Sequence, residues 1–461
     1  MPLITRREAL QLSAAAAAQA VWAPSRSSDL PPDHRLEIAP YLLELSPRVR
    51  LRTVAYNGQV PGPLLRLREG KPVTIDVTNH TARPEVVHWH GLFLPPQIDG
   101  AMEEGTPPIA PGDTTRISLS PEPSGFRWYH THTSAEGDLR RAQYGGQHGP
   151  LLIEPRDDPG HYDQEFFITL HDWGGYLSGS EDGAMNPAYR YSSINGKLLG
   201  AGEPLRVQQG QRVLLHVLNS SPTEVHWVAL AGHQLQVLAL DGNPVPSPNR
   251  VPMLRVAPAE RVSALVEMDN PGIWIFGEVR KHVQAAGMGI VFEYAGRNGV
   301  AQWQQPRELL WRYERFAATS PNPRSMQAGT VQPIPLTFRS QFRGHGAMEG
   351  WLINGLSFPR SAIAPLVSGQ RYRLQLINDS ADDHPLHLHR HRFELRSLNL
   401  PLAASGAAAP ELAGVWKDVL LVDAHSRSEV EFVADHPGDT LFHCHQQDHM
   451  DMGFMLLMHY A

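Results

Sequence analysis

A threefold internal repeat constrains the fold of this 461-residue chain more than any other feature of its sequence. Each repeat begins with an Asn-Gly dipeptide, and a later glycine opens a segment in which polar and apolar residues alternate. An asparagine follows that glycine after nine residues, and a histidine comes soon afterwards. Alternation with a period of two is typical of half-buried β-strands, so the repeat predicts three homologous β-rich units. The three sets are Asn57, Gly70, Asn79 and His88; Asn195, Gly210, Asn219 and His226; and Asn354, Gly369, Asn378 and His384.

A second marker closes each repeat and supports the same division of the chain. A further alternating segment leads to a glycine, and the residue five positions after it is His130, Gly277 or His443. We predict an all-β protein with three consecutive antiparallel β-sandwich domains, at residues 34–155, 156–297 and 331–461. The polar, proline-containing segment 298–330 is expected to link the second domain to the third, with a short helix around residues 307–316.

The N-terminus has the layout of an export signal. Arg6 and Arg7 precede an alanine-rich apolar run, and residues 18–20 offer a small-x-small cleavage site. This pattern predicts a twin-arginine export signal over residues 1–23 and a mature protein that works in the periplasm or outside the cell. An amphipathic helix that begins at Thr5 is the alternative interpretation. No apolar run of about 18 residues is present, so we expect no stable membrane insertion.

Charge and residue counts exclude several other classes of protein. The formal net charge of −7 argues against a nucleic-acid-binding protein, which would usually carry a basic surface. The single cysteine excludes an internal disulfide and cysteine-rich zinc or iron–sulfur sites. The 24 histidines could be scattered surface residues or could form a large imidazole site, and their positions decide between these interpretations.

Eight of the histidines form four His-x-His pairs. Because residues i and i+2 of a β-strand point to the same face, each pair aims two imidazoles in one direction. Two pairs come from the first predicted domain and two from the third, so they can converge only if these domains meet. Eight imidazoles exceed what one zinc ion needs and favour a cluster of several transition-metal ions. The pairs are His88/His90, His130/His132, His387/His389 and His443/His445.

Cys444 lies between the two histidines of the last pair, and strand alternation therefore points its sulfur to the opposite face. There it can meet His384 and His449. Two imidazoles with one thiolate are the trigonal ligand set of a blue-copper electron-transfer site. The chain from Cys444 to His443 and His445 would connect that copper ion to the cluster. A buried apolar cysteine is the alternative interpretation.

The four motifs, in this order, resemble those of the multicopper oxidases, a family that includes laccases, bilirubin oxidases and bacterial cuprous oxidases. The resemblance implies three cupredoxin-like Greek-key domains and four copper ions. It also implies that one-electron oxidation of a reductant is coupled to four-electron reduction of O2 to water. The matching segments are His88-Trp89-His90-Gly91, Trp128-Tyr129-His130-Thr131-His132, His384-Pro385-Leu386-His387-Leu388-His389, and His443-Cys444-His445 followed by His449.

The resemblance also assigns the ligands of each copper ion. The axial type 1 position falls ten residues after the cysteine, at Phe454, which cannot coordinate copper. We therefore expect a three-coordinate type 1 ion of relatively high potential, and a one-residue shift that admits Met455 is the alternative. The implied ligands are His384, Cys444 and His449 for type 1; His88 and His387 for type 2; and His90, His130, His132, His389, His443 and His445 for the type 3 pair.

Reduction of O2 to water consumes protons, so acidic residues near the cluster are candidate catalytic proton relays. Asp99 follows His90 by nine residues and resembles an acid that the family places near the type 2 ion. Many bacterial relatives have a glutamate directly after the second type 1 histidine, where this chain has Met450. Asp448 or Asp451 could replace that glutamate, or Asp99 could act alone.

The expected reductant depends on what surrounds the type 1 ion. Cuprous oxidases carry a methionine-rich insertion over that site, and this sequence has no such insertion. Asp382 and Asp383 precede His384 and could receive Cu(I) or a phenolic proton, but a solvated acidic turn would have the same sequence. We expect a monomeric, laccase-like enzyme that oxidises phenols and aromatic amines. A periplasmic cuprous oxidase and a copper-free scaffold protein of the envelope are the alternatives.

Overall fold

The computed structural model describes residues 30–157, 160–179, 185–318, 330–342, 348–403 and 412–461, and the side chains of residues 185, 342, 348 and 349 are not among the described parts. The predicted export signal lies outside the described residues. Along the chain, the described residues form three successive pairs of β-sheets, and we call each pair a domain. In these ranges no helix is long and apolar enough to cross a membrane.

The first domain has two four-stranded sheets. Its strands are β1 (His34–Ser46), β2 (Val49–Tyr56), β3 (Leu65–Arg68), β4 (Val73–Asn79), β5 (Val87–His90), β6 (Thr114–Leu119), β7 (Gly125–Thr131) and β8 (His148–Glu154). The sheet orders are β2-β1-β4-β6 and β3-β8-β7-β5. Helix α1 (Pro96–Asp99) and a 3-10 helix at Met102–Glu104 follow β5, and a second 3-10 helix at Ala142–Tyr144 precedes β8.

The second domain has a six-stranded and a five-stranded sheet, with one additional hairpin. Its strands are β9 (Gln164–Trp173), β10 (Tyr176–Gly179), β11 (Met185–Ala188), β12 (Tyr191–Ile194), β13 (Leu205–Val207), β14 (Arg212–Asn219), β15 (His226–Leu230), β16 (Leu235–Leu240), β17 (Asn243–Val251), β18 (Leu254–Val256), β19 (Arg261–Glu267), β20 (Ile273–Glu278) and β21 (Gly289–Tyr294). The sheet orders are β12-β9-β14-β19-β16-β17 and β13-β21-β20-β15-β18, and β10 pairs with β11. Helix α2 (Lys281–Ala285) lies between β20 and β21.

The third domain has a six-stranded and a four-stranded sheet. Its strands are β22 (Gln332–Phe342), β23 (Met348–Ile353), β24 (Arg371–Asn378), β25 (His384–Leu388), β26 (Phe393–Pro401), β27 (Trp416–Lys417), β28 (Val419–Val422), β29 (Ser426–Val433), β30 (Thr440–Cys444) and β31 (Met455–Met458). The sheet orders are β23-β22-β24-β29-β26-β27 and β28-β25-β30-β31. Helix α3 (Gln447–Asp451) connects β30 to β31.

The asparagines of the sequence repeat have the same structural role in each domain. Asn57, Asn195 and Asn354 adopt left-handed φ values of 52°, 51° and 51° in tight turns. In each, the side-chain oxygen accepts a backbone N–H and the amide donates to a backbone carbonyl of the neighbouring strand β1, β9 or β22. The asparagines that end β4, β14 and β24 each donate to backbone carbonyls of two nearby loop or strand segments. The repeat therefore marks turns and strand ends that need a side-chain amide.

The alternating segments form strands as predicted, because their apolar residues face the space between two sheets. Every second residue of β4 and β24 is buried, and the residues between them are partly exposed. The first domain has a hydrophobic core of its own, whereas one continuous core includes residues of both the second and the third domain. The all-β prediction with cupredoxin-like sandwiches is thus confirmed.

All strands of each sheet pair fall within one of the three predicted segments. The exact residues at which the domains begin and end stay predictions. In the expected linker, residues 319–329 lie outside the described ranges. A short helix is expected around residues 307–316. The helix in the structure is shorter and covers only Tyr313–Phe316, as a 3-10 helix. Phe316 is fully buried there in the continuous core. Directly after it, the Ala317 carbonyl accepts from Ser247 of the second domain, and the Ala318 N–H donates to Ala413 of the third.

Candidate metal centre

The first and third domains bring all four His-x-His pairs together. In the first domain β5 and β7 are paired, with His88 opposite His130, and in the third β25 and β30 are paired, with His387 opposite His443. Across the junction, the rings of His90 and His387 stack at 3.8 Å. We call the eight residues the histidine cluster, and each is at most 2% exposed. They are His88, His90, His130, His132, His387, His389, His443 and His445.

Hydrogen bonds at the edge of the histidine cluster fix the orientation of five imidazoles. In each, Nδ1 lies 2.7–2.9 Å from an oxygen that can only accept, so Nδ1 carries the hydrogen and Nε2 keeps its lone pair. The pairs are His88 with the Asp99 carbonyl, His130 with the Thr131 carbonyl, His387 with the Asp418 carbonyl, His389 with Asp99 Oδ2, and His443 with the Cys444 carbonyl.

The nitrogens that face the centre of the cluster have no adequate partner within the protein. Nε2 of His443 lies 3.0 Å from Nε2 of His389, and both nitrogens carry lone pairs, which cannot bond to each other. Nε2 of His132 lies 3.5 Å from Nε2 of His443. Several other ring nitrogens are buried with no hydrogen bond at all: Nε2 of His88, His130 and His387, Nδ1 of His90, and both nitrogens of His445. Such an arrangement of buried lone pairs fits several metal ions.

Burial also favours the neutral form of the imidazoles in the cluster, which is the form that a metal site requires. Burial is the largest cause that lowers the pKa of seven of its eight histidines, and it lowers that of His132 to about 3. Neutral imidazole is the form that ligates transition metals. Subsets of the cluster whose ligand atoms lie within 4.8 Å of one another include His88, His387 and His389; His88, His90 and His130; and His132, His389 and His443.

A second candidate site, which we call the thiol site, lies on the other side of β30. Nδ1 of His384 and Nδ1 of His449 lie 3.8 Å and 3.6 Å from Sγ of Cys444. Ser380 holds His384 through Nε2 at 2.9 Å, which leaves Nδ1 for a metal ion. Because burial raises the pKa of the thiol, a bound cation is what would hold Cys444 as a thiolate.

Phe454 packs directly against the thiol site. Its ring lies 4.7 Å from that of His384 and 5.4 Å from that of Trp351, and it is fully buried. The next residue, Met455, pairs with His443 on the strand ladder and belongs to a different apolar cluster with Ala101. Of the two candidates for the axial position, Phe454 is therefore the one that packs against the thiol site, and the axial assignment itself stays a prediction.

Comparison with known proteins supports the same chemistry. Three consecutive segments, residues 43–158, 165–289 and 327–461, match sequence profiles described as multicopper oxidase. The chain belongs to the multicopper oxidase family. It is therefore an oxidoreductase, and the two groups of buried ligand atoms fit copper ions.

Several curated proteins align with this multicopper oxidase over most of its length. The multicopper oxidase MmcO of Mycobacterium tuberculosis is 29% identical, over 88% of this chain and 83% of that protein. Copper resistance protein A of Escherichia coli is 23% identical, over 86% of this chain and 87% of that protein. Laccase-1 of Cryptococcus neoformans is 23% identical, over 86% and 75%. The crystal structure of Fet3p, a multicopper oxidase that functions in iron import, has a TM-score of 0.79 at 19% identity, over 93% of this chain and 90% of that one.

In this multicopper oxidase, Asp99 contacts the histidine cluster, and its role as a proton relay stays a prediction. It ends helix α1 and is fully buried. Its Oδ2 lies 2.9 Å from Nδ1 of His389, and its backbone oxygen accepts from Nδ1 of His88 at 2.8 Å. The other carboxylate oxygen, Oδ1, is buried with no hydrogen-bond partner. Asp99 thus contacts one histidine from each of the two domains that form the cluster.

Sequence analysis missed two glutamates beside Asp99. Oε1 of Glu104 lies 3.5 Å from Nδ1 of His389, and Oε2 of Glu103 lies 3.8 Å from Nδ1 of His132. Burial raises the pKa of both glutamates, and the charge of Asp99 raises that of Glu104 further. Nothing in the local sequence distinguishes them from surface glutamates. A wider search for acids after the first His-x-His pair could have found them.

Asp448 and Asp451 lie on helix α3, next to His449. Asp448 is buried with its Oδ1 unpartnered, and burial raises its pKa to about 6. Asp451 is tied to the first domain, because its Oδ2 accepts the backbone N–H of Ala135 at 2.9 Å. Met450, between them, packs in an apolar cluster. Of the two acids, Asp448 therefore has a carboxylate oxygen that no protein group holds.

The two aspartates before His384 have different environments. The Asp383 carboxylate accepts the backbone N–H of Ala424 at 2.8 Å and lies 3.6 Å from Arg255, so it stabilises a turn. Burial lowers the pKa of His449 to about 4. The negative charge of Asp382 acts in the opposite direction, but its effect on this pKa is smaller. Asp383 thus has a structural role at this turn, and the substrate-side interpretation of both aspartates stays a prediction.

The second domain has an ion triad where the other repeats have candidate metal ligands. Nε2 of His226 lies 2.8 Å from Oδ2 of Asp172, and its Nδ1 lies 3.0 Å from Oε2 of Glu278. Burial alone would lower the pKa of His226, but the two carboxylates raise it to about 10. The imidazole is therefore a cation at neutral pH and is not free to ligate a metal ion. Sequence analysis assigned no role to this histidine.

Proposed function

We propose that the protein is a laccase-like oxidase, in which phenols or aromatic amines give up single electrons at the thiol site and O2 is reduced to water at the histidine cluster. The observation that carries this proposal is the sequence His443-Cys444-His445, which joins the two sites by consecutive residues. Alternation on β30 points the Cys444 sulfur away from the cluster while both flanking histidines point into it. One strand thereby connects a one-electron site to a multi-metal site.

The ligand sets support four copper ions: one type 1 at the thiol site, and one type 2 and two type 3 in the histidine cluster. Bound copper would supply the one-electron redox steps by changing between Cu(I) and Cu(II). The protein's own part is to hold neutral imidazoles with their lone pairs inward and to exclude water. The proposed type 2 ligands are His88 and His387. The proposed type 3 ligands are the other six members of the cluster.

Electron entry is proposed at His449. This residue is 7% exposed, whereas His384 and Cys444 are fully buried, so it presents the thiol site to a reductant. Trp351 packs against both histidines, at 4.6 Å from His384 and 4.4 Å from His449, and shields the site from water. The electron would then pass from Cys444 along the strand to His443 and His445.

Proton delivery is proposed for Asp99, with Asp448 and Asp451 as further candidates. Asp99 touches the cluster through His389 and has a second carboxylate oxygen that is buried without a partner. Asp448 has the same kind of unpartnered oxygen on the side of the thiol site. Buried carboxylates of this kind can take up and release protons next to a reaction that consumes them.

Oxidation of Cu(I) is the second candidate function. One relative that aligns over most of the chain is named copper resistance protein A. Met452 is 37% exposed, and its backbone oxygen bonds to the N–H of Trp351 beside the thiol site. A thioether and the charge of Asp382 would suit a soft cation. We favour phenols because the other methionines of this segment, Met450, Met455 and Met458, are buried in the core.

One measurement separates the two candidates. Copper-loaded protein is supplied with a phenol or with Cu(I) at matched concentrations, and O2 uptake is followed. The laccase-like proposal requires the larger turnover with the phenol, and a much larger turnover with Cu(I) would overturn it. The variant Met452→Leu should leave phenol oxidation unchanged, whereas a selective loss of Cu(I) oxidation would favour the second candidate.

The proposed cellular setting is the periplasm or the outside of the cell, reached by the twin-arginine signal at residues 1–23, with the protein acting as a monomer. Cleavage near residue 20 in exported protein, and a mass of one chain in light scattering, would support this setting. A scaffold role without copper would be indicated if protein incubated with copper showed neither the blue absorption of a thiolate-bound copper ion nor O2 uptake.

A further inference from the structure

The second domain provides no member of the histidine cluster, yet one of its arginines reaches it. Arg261 begins β19 and is fully buried. Its Nη1 and Nη2 donate to the two different carboxylate oxygens of Asp418, each at 2.6 Å. Asp418 lies between β27 and β28 of the third domain, and Arg127 of the first domain donates to its Oδ2 at 3.3 Å. All three domains therefore meet at one carboxylate.

Asp418 in turn holds two imidazoles of the cluster. Its Oδ1 lies 3.2 Å from Nε2 of His90, and its backbone oxygen accepts from Nδ1 of His387 at 2.7 Å. His90 comes from the first domain and His387 from the third, and their rings are stacked. A single residue thus fixes one imidazole on each side of the junction.

His90 differs from the five imidazoles that are held through Nδ1. An ionised carboxylate accepts hydrogen bonds but cannot donate them, so Nε2 of His90 must carry the hydrogen. The lone pair is then on Nδ1, which is buried and has no hydrogen-bond partner. Were the hydrogen on Nδ1 instead, Asp418 would face a second lone pair and the cluster would lose one ligand atom.

The residue after His90 leaves no room for the ion pair to move. A Cβ atom at Gly91 would lie 2.8 Å from Nη2 of Arg261 and 2.8 Å from Oδ2 of Asp418. Gly91 also has a φ of 85°, which favours glycine. The backbone beside His90 and the Arg261–Asp418 pair are therefore packed against each other without a gap.

We propose that Arg261 and Asp418 are positioning residues that select the form of His90 with its lone pair on Nδ1, and that this is how the second domain contributes to copper binding. The inference rests on the proposed function, because it concerns a ligand of the proposed cluster. The bidentate bond from Arg261 takes both oxygens of Asp418. Ligand atoms of His90, His387 and Asp418 also lie within 4.8 Å of one another. Because both oxygens of Asp418 accept from Arg261, the proposal assigns Asp418 to holding His90 and not to binding copper.

The test compares copper retention and absorption spectra of wild type, Arg261→Lys and Asp418→Asn. Lysine keeps the charge but cannot hold both oxygens, and asparagine can present a donor to His90. We expect both variants to release copper from the histidine cluster at about 10–100-fold lower chelator concentration than wild type. The near-ultraviolet absorption of paired copper ions should fall, while the blue absorption of the thiol site should persist.

Tyr313→Phe is the matched control. Tyr313 donates to Glu260 at 2.8 Å, and Glu260 lies 3.0 Å from Lys417, so the variant perturbs the same buried charge network without touching an imidazole. It should lower the melting temperature as Arg261→Lys does but leave copper retention and spectra unchanged. Gly91→Ala, which pushes a Cβ against the pair and keeps every charge, should reproduce the copper loss if Arg261→Lys does not fold.

Three results would overturn the inference. Wild-type retention and spectra in Arg261→Lys and Asp418→Asn would show that His90 needs no such partner. An equal loss in Tyr313→Phe would show a general effect of stability. Wild-type protein that binds copper only at the thiol site would overturn the proposed function together with this inference, whereas the first two results leave the proposed function standing.

Discussion

The Sγ atom of Cys444 lies 3.6 Å from Nδ1 of His449, on the face of β30 opposite to the histidine cluster. Cys444→Ser replaces the only thiol of the chain with a hydroxyl, which is a poor ligand for the proposed type 1 copper. We expect the blue absorption to vanish, because it requires a thiolate ligand. Phenol oxidation should fall by at least about 100-fold, which corresponds to an activation barrier higher by ~2.7 kcal/mol. Copper in the cluster should remain. Spectroscopy, copper analysis and O2 uptake check this, and a persistent blue band contradicts it.

We predict that Phe454 raises the potential of the proposed type 1 copper, because a phenyl ring cannot coordinate it. Phe454→Met introduces a thioether at the axial position and should lower the type 1 potential, as measured by redox titration. Because the substitution is similar in volume, it should cost less than about 1.5 kcal/mol of stability. The control is Phe338→Met, since the Phe338 ring lies 5.1 Å from that of Phe454. An unchanged potential in Phe454→Met would show that the side chain does not reach the metal.

Asp99 should control the O2-consuming half of the reaction. Asp99→Asn keeps the shape of the side chain but cannot exchange a proton at ordinary pH, so we expect turnover to fall by about 10²–10⁴-fold. Reduction of the thiol site by a phenol under anaerobic conditions should stay normal. Stopped-flow measurements of reduction and of reoxidation by O2 separate the two halves. Asp113→Asn, at an exposed position of the same domain, is the control. Full turnover in Asp99→Asn with normal copper content would rule out the relay.

The ion triad of the second domain predicts a pH-dependent stability. The pKa of His226 is raised from 6.5 to about 10 in the folded protein, so its contribution is complete below pH 6.5 and is lost as the pH rises towards 10. His226→Gln removes the cation and leaves the carboxylates of Asp172 and Glu278 buried, which should cost about 3–5 kcal/mol near neutral pH.

Denaturant unfolding of wild type and His226→Gln between pH 6 and pH 10 measures this contribution. The difference in unfolding free energy should shrink as the pH rises. The control is His282→Gln, because His282 is exposed on helix α2. A difference that stays constant with pH would mean that His226 is neutral in the folded protein.

The histidine cluster and the thiol site could be predicted because short local sequence patterns determine where their side chains point. A His-x-His pair needs only strand alternation to aim both rings, and the position of Cys444 between His443 and His445 fixes the opposite direction of its sulfur. The repeated asparagines predicted the strand ends for a similar reason, since their hydrogen bonds are made within one domain. These inferences required no knowledge of how the domains pack.

The groups that hold the imidazoles could not be predicted in the same way. Arg261 and Asp418 are 157 residues apart in the sequence and meet only where three domains converge. Glu104 reaches His389 across the same junction. An isolated arginine or glutamate has no periodic signal, and its burial follows from tertiary packing alone. Sequence reasoning therefore identified the candidate ligands and Asp99 but missed Arg261, Asp418 and Glu104.

The continuous hydrophobic core of the second and third domains has a consequence for how the molecule melts. We expect the second and third domains to unfold as one unit, because a single buried cluster joins them, and a smaller buried cluster joins the first domain to both. The histidine cluster takes imidazoles from the first and the third domain. Metal ions bound there would bridge these two domains, so we expect copper loading to raise the melting temperature.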